Sequence, residues 1–239
     1  MTTIAPPSRK KFLSLPEEWR RGTKSYDLLA AAPLMVWYGL SATSQFMALH
    51  KDFAGLGFAH AQFGLVTDIL SRLAIMLFAL VLIGLLFARK PASASASGIG
   101  PRVAGVLGTY LSVGILLLPP GNIAPWLRDV STVIVLGGMA FALYSLLWLG
   151  RSISLVAEAR RLVTGGPYTI VRHPLYLGEQ LAVVGIVLQY LSIWALLIFA
   201  LQVLCLIYRM SYEEQVLENQ FPDYRAYKAN TFRFIPGIY

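Results

Sequence analysis

Charge is scarce in this sequence. Only 13% of its 239 residues are Asp, Glu, Lys or Arg, about half the share that a soluble domain carries, so most of the chain is not written to face water. Cysteine is nearly absent: the single thiol, Cys205, lies in an apolar run, which excludes an internal disulfide and leaves a small buried hydrophobe. There is no HExxH and no paired CxxC, so no metal-ligand cluster is legible. A GxGxxG turn is missing too, which argues against a Rossmann dinucleotide fold. The segment 1–26 is polar and basic, with Pro6, Pro7 and Pro16, and lacks the apolar core and cleavage site of a secretory signal.

What the chain has in quantity is long apolar runs. Four of them, 28–49, 65–88, 103–119 and 125–149, approach or exceed the roughly 20 residues that a bilayer-spanning helix needs. A fifth, from 177 to about 208, is too long for one span and short for two, and Gln189, Tyr190 and Ser192 interrupt it. It predicts a tight helical hairpin whose second limb continues out of the membrane; a single long tilted helix is the alternative. The expected fold is all-α and polytopic, with about six membrane helices and the last two as that hairpin.

The net charge is +8. The basic residues fall in alternate segments: Arg9 to Lys24, then Arg89, Lys90 and Arg102, then Arg151, Arg160, Arg161 and Arg172, then Arg209 to Arg233. Both termini are therefore expected on the cytoplasmic side of an inner, plasma or ER-type membrane. Lipid head groups, not nucleic acid, are the expected anionic partner. Residues 91–101 (PASASASGIGP) predict a flexible linker. The resulting division is a cytoplasmic segment 1–26, two accessory helices with their linker over 27–100, and a main membrane unit over 101–239.

Polar chemistry gathers in two places. The stretch 149–179 is long for a connector and holds Gly165, Gly166 and Pro167, then His173 and Pro174, with Tyr168 and Tyr176. Glycines allow close approach of a ligand to the backbone and prolines fix its path, although an Arg-His pair at a membrane edge also serves as a lipid-facing anchor. The stretch 208–239 opens with Arg209, Glu213 and Glu214. Arg209 and Glu213 are four apart and share a helix face, which an ordinary surface ion pair would also satisfy. Tyr224, Tyr227 and residues 232–239 read as a short amphipathic tail.

Leu-Val-Thr-x-Gly-Pro-Tyr at 162–168, Arg-His-Pro-x-Tyr-x-Gly at 172–178, Glu-Glu-x-x-Leu at 213–217 and Phe-x-x-Tyr-x-x-Tyr at 221–227 occur in an order that resembles the isoprenylcysteine carboxyl methyltransferases and the related phospholipid methyltransferases. The resemblance covers about 135–239. It implies an integral membrane methyltransferase using S-adenosylmethionine and acting on a lipidic or small hydrophobic acceptor, either an isoprenylcysteine-type carboxylate or a phospholipid amine. By resemblance the cofactor would be bound by Arg160, Arg161, Leu162, Val163, Tyr168, His173, Pro174, Leu175, Tyr176 and Glu213. Arg209 corresponds to a family arginine on the substrate side, and Glu179 also falls there. Isoprenylcysteine enzymes tend to carry His in place of Arg160 and Trp in place of Glu179.

The residue types suit this chemistry. A carboxylate such as Glu213 can pair with the cofactor's amino group, and donors such as His173 can hold its carboxylate. Methyl transfer is an in-line displacement that needs positioning and exclusion of water. Arg209 would clamp a carboxylate acceptor, whereas Glu179 or Glu214 would handle the proton of an amine. The alternatives are an NADPH-dependent membrane reductase of the sterol reductase type, with Arg160 and Arg161 on the 2′-phosphate, and a non-enzymatic membrane protein.

Overall fold

The computed structural model describes residues 23–55 and 63–238; most of the basic segment 1–26 lies outside them. The chain forms α1 (Lys24–Gly55), α2 (Phe63–Ala88), α3 (Gly100–Tyr110, tightening into a 3-10 turn over Leu111–Leu117), α4 (Pro125–Leu149), α5 (Pro174–Gln189), α6 (Ile193–Gln220) and α7 (Tyr224–Ala229). Among the described residues, four helical stretches are long and apolar enough to cross a bilayer: α2, α3 with its 3-10 turn, α4 and α6. The other two expected crossings are α1, longer at 32 residues with Pro33 inside it, and α5, an apolar helix of 16 residues. The all-α polytopic expectation holds.

The expected hairpin forms where its polar residues interrupt the run. Tyr190 donates its N–H to Ile186 and closes α5, and the Ser192 hydroxyl caps α6 by accepting from the Ala195 N–H at 3.2 Å. A hydroxyl at this position satisfies an N–H that has no partner within the helix. The two limbs then part, α5 packing along α4 and α6 along α3.

Small residues draw α4 and α5 together. A Cβ added at Gly138 would lie 2.4 Å from the Ala182 nitrogen, one at Gly178 2.5 Å from the Ala142 nitrogen, and one at Gly185 2.7 Å from the Ser131 carbonyl oxygen. Lipid tails are as apolar as leucine, so membrane helices associate largely through such close packing. This contact fixes the start of α5, and with it the motif residues of its first turn, against the end of α4.

The linker 91–101 departs from its expected flexibility. Its Ala94–Ser95 form β1, antiparallel to β2 (Glu158–Ala159), with Ala94 opposite Ala159. Ser93 donates from both its N–H and its hydroxyl to the Ala159 carbonyl, each at 2.9 Å. Small side chains let this strand lie flat against the buried Ala157 and Ala159. Nor do α1 and α2 stand apart. Ala31, Phe78, Leu82 and Leu86 share one core with Ala142, Leu146, Leu175 and Leu206.

Candidate active site

The chain between α4 and α5 crosses one end of the bundle and is shaped by its punctuating residues. Gly166 has φ +61°, and a Cβ there would lie 2.3 Å from the Trp148 ring. The Gly165-Gly166 pair therefore seats an indole instead of leaving its backbone open to a ligand. Pro174 opens α5, where the missing N–H costs nothing. The C-terminal tail returns beneath this loop: Arg172 N–H donates to Phe232 O at 2.9 Å, Phe232 N–H to Ile170 O at 3.0 Å, and the Tyr227 hydroxyl to Tyr168 O at 2.7 Å.

These elements border an open cleft. All the residues expected to bind the cofactor line it except Pro174, which is buried at the start of α5. It is also lined by residues that the sequence reading did not assign: Leu149, Ser154, Arg172, Leu217, Tyr224 and Tyr227. The three-residue spacing of Tyr224 and Tyr227 already placed them on one helix face. That this face closes the cleft is a consequence of the tail's return.

Glu213 is the acidic centre of the cleft. Its Oε1 accepts from the Tyr176 hydroxyl at 2.6 Å and from Arg209 Nε at 3.1 Å, and its Oε2 lies 3.9 Å from His173 Nδ1. His173 stacks on Tyr176, with ring centroids 5.6 Å apart and planes 7° from parallel. The Arg209 guanidinium carbon lies 4.8 Å from the centre of the same tyrosine ring, a cation–π arrangement. Burial is the largest cause pushing the Tyr168 and Tyr227 phenols above their ordinary range, so both stay protonated donors at neutral pH.

Several expected site residues have other commitments. Arg160 borders the cleft, but its guanidinium is spent on the protein: Nε donates to Ser154 Oγ at 2.8 Å, Nη1 to the Lys90 carbonyl, and Nη2 to Asp27 Oδ1 at 2.6 Å and Glu158 Oε2 at 2.7 Å. Glu214, expected near the acceptor, lines neither the cleft nor the cavity described below. It lies 3.0 Å from Arg172 Nε, 3.2 Å from His173 Nε2 and 3.2 Å from Arg233 Nε. A carboxylate only accepts, so this contact places a proton on His173 Nε2. Arg209 also lines neither space: beyond Glu213 it donates from Nη1 to Thr109 Oγ1 at 2.7 Å and from Nη2 to Ser154 O at 3.0 Å. These two acceptors lie outside α6, so spacing along that helix could not reveal them.

Glu179 lines a second, larger cavity, bordered by residues of α1 to α6 and partly open to the outside. Gln180 and Gln202 line it too, each with a buried Oε1 that has no hydrogen-bond partner among the described residues. Gln202 Nε2 donates to Gly108 O at 2.9 Å, which fixes the amide's orientation and leaves Oε1 as an acceptor.

Residues 128–224 match the family model for phospholipid methyltransferases, so the resemblance drawn from the motifs holds for that part of the chain. The chain is 29% identical over 139 residues to the nickel-cobalt-cadmium resistance protein NccN of Alcaligenes xylosoxydans xylosoxydans, covering 56% of this chain and 64% of that protein. It is 30% identical over 117 residues to the cobalt-zinc-cadmium resistance protein CzcN of Cupriavidus metallidurans, covering 47% of this chain and 52% of that protein. The matches thus span between half and two thirds of these relatives.

Proposed function

We propose that this protein is an S-adenosylmethionine-dependent membrane methyltransferase that acts on a lipid-borne amine. The observation that carries the reading is the pairing of two spaces. A polar cleft with the motif residues lies at one end of the bundle, and a large cavity among the helices reaches the adjoining turn of α5, with Tyr176 on the first and Glu179 on the second. The cleft's polar groups fit the cofactor. Glu213 would take the ammonium, the exposed Arg161 the carboxylate, and Leu149, Leu162 and Leu217 supply apolar wall for the purine. When bound, S-adenosylmethionine supplies an electrophilic methyl on a sulfonium. The chain's own part is to orient that group, exclude water and present the acceptor.

The acceptor class follows from the larger cavity. Glu179 has no hydrogen-bond or ion-pair partner among the described residues, and with the free Gln180 and Gln202 oxygens it offers hydrogen-bond acceptors to an N–H-bearing ligand. A carboxylate ligand brings no N–H to these acceptors. Its expected clamp, Arg209, has each of its three nitrogens engaged elsewhere and lines neither space. An ammonium must lose a proton before attack, and Glu179 is placed to accept it. The reductase reading needs Arg160 together with Arg161 for a 2′-phosphate, and Arg160 is committed to Asp27 and Glu158.

Calorimetry on the full chain in detergent tests the reading. S-adenosylhomocysteine should bind and NADPH should not; the reverse order would establish the reductase instead. The cleft and most of the basic loops share one end of the bundle, which this reading places in the cytoplasm. In a Cys205→Ser background, a cysteine at the exposed Asn122 should react with an impermeant thiol reagent in intact cells. Reaction only after permeabilisation would reverse the orientation.

A further inference from the structure

The family match begins at residue 128, yet one wall of the cleft is held from outside the matched part. Asp27, in the first turn of α1, is buried between two arginines from different parts of the chain. Its Oδ2 lies 2.7 Å from Arg89 Nε, and its Oδ1 lies 2.6 Å from Arg160 Nη2. Arg89 Nη2 donates to the Asp27 carbonyl at 2.9 Å, and Arg160 donates to the Lys90 carbonyl. Arg160 follows β2, whose partner β1 belongs to the same linker that carries Arg89 and Lys90. Arg161, Leu162 and Val163, all lining the cleft, come next in the chain.

We infer that Asp27 is a positioning residue for the cofactor: with the linker after α2, it holds Arg160 and so fixes the 160–163 wall of the cleft. Two guanidinium groups buried side by side repel each other; the Asp27 carboxylate lies between them and, with Glu158 beside Arg160, supplies the compensating charge. Every other group facing Arg160 (Ser154 Oγ, Glu158 and the Lys90 carbonyl) belongs to the loop itself or to the linker. Among the described groups that hydrogen-bond Arg160, Asp27 is the one carried by a long helix, α1. The first two helices are thereby part of the cofactor site and not only a neighbouring pair. The inference rests on the cleft binding S-adenosylmethionine, but its placement of the loop can be read without ligand.

Asp27→Asn should raise the dissociation constant for S-adenosylhomocysteine tenfold or more. Without ligand, trypsin should cut after Arg160 at least tenfold faster than in the parent, because Arg160 loses its ion pair to α1 and keeps only partners in the loop and linker. Leu34→Ala, which removes core packing two turns further along the same helix, serves as the control for simple destabilisation and should change both readouts less than twofold. Asp27→Glu keeps the charge and the fold but reaches too far to sit between both arginines, so its effects should be intermediate. An Asp27→Asn protein that keeps parental affinity and parental cleavage overturns the inference, as does a Leu34→Ala protein that matches it in both. If the parent itself fails to bind S-adenosylhomocysteine, the proposed function falls, while the cleavage comparison still decides the role of Asp27.

Discussion

Glu213→Gln is expected to weaken S-adenosylhomocysteine binding by about 1.5–3 kcal/mol, the worth of a charge-assisted hydrogen bond, or roughly ten- to a hundred-fold in affinity. The substitution keeps shape and removes charge. Glu213 Oε1 is already engaged by Tyr176 and Arg209, whereas Oε2 has only the longer contact to His173 at 3.9 Å. The open side of the carboxylate is therefore the one that faces a ligand. The amide can still accept from the tyrosine, so the fold should persist, as a thermal unfolding midpoint within a few degrees of the parent would show. His173→Ala should act in the same direction by removing the ring stacked on Tyr176, whose hydroxyl holds Glu213. Parental affinity in both variants would mean that the cofactor does not sit here.

Arg209→Ala should cost both cofactor affinity and turnover, and Arg209→Lys should restore only part of either. On helix spacing alone, an arginine one turn before Glu213 is expected to meet the acceptor and spare the cofactor. In the structure its planar fork reaches three groups at once: Glu213 on its own helix, Thr109 on α3 and the Ser154 carbonyl in the loop. Alanine leaves a half-buried carboxylate with one partner fewer, and the hydroxyl and carbonyl lose their donors, a change of the kind that costs about 1–3 kcal/mol. Lysine restores a charge but presents it from a single nitrogen, so it cannot serve all three directions. Calorimetry with S-adenosylhomocysteine, alongside incorporation of labelled methyl into a lipid extract, separates the cases. Lost turnover with unchanged affinity would return Arg209 to the substrate side, and full rescue by lysine would reduce it to a charge partner of Glu213.

The sequence by itself determined the membrane architecture, because a bilayer asks for something that can be counted along the chain: uninterrupted apolar runs of a given length, with breaks where polar residues interrupt them. Gln189, Tyr190 and Ser192 marked the turn between α5 and α6 for that reason. The residues that line the cleft were legible through resemblance, because the motifs at 162–168 and 172–178 are local in sequence. What spacing did not fix was the partner of each charged group. Arg160 and Arg209 present several donors, and which acceptors they meet depends on helices and loops far away in sequence, Asp27 and Thr109 among them. The same holds for Glu214, which Arg172 and Arg233 draw away from both cavities. The linker 91–101 reads as flexible because small residues have weak preferences of their own; the exposed backbone edge of 157–159 supplied the hydrogen bonds that made part of it a strand. Tertiary structure decided these cases because a buried ion or an unpaired backbone group must find a partner wherever the fold provides one.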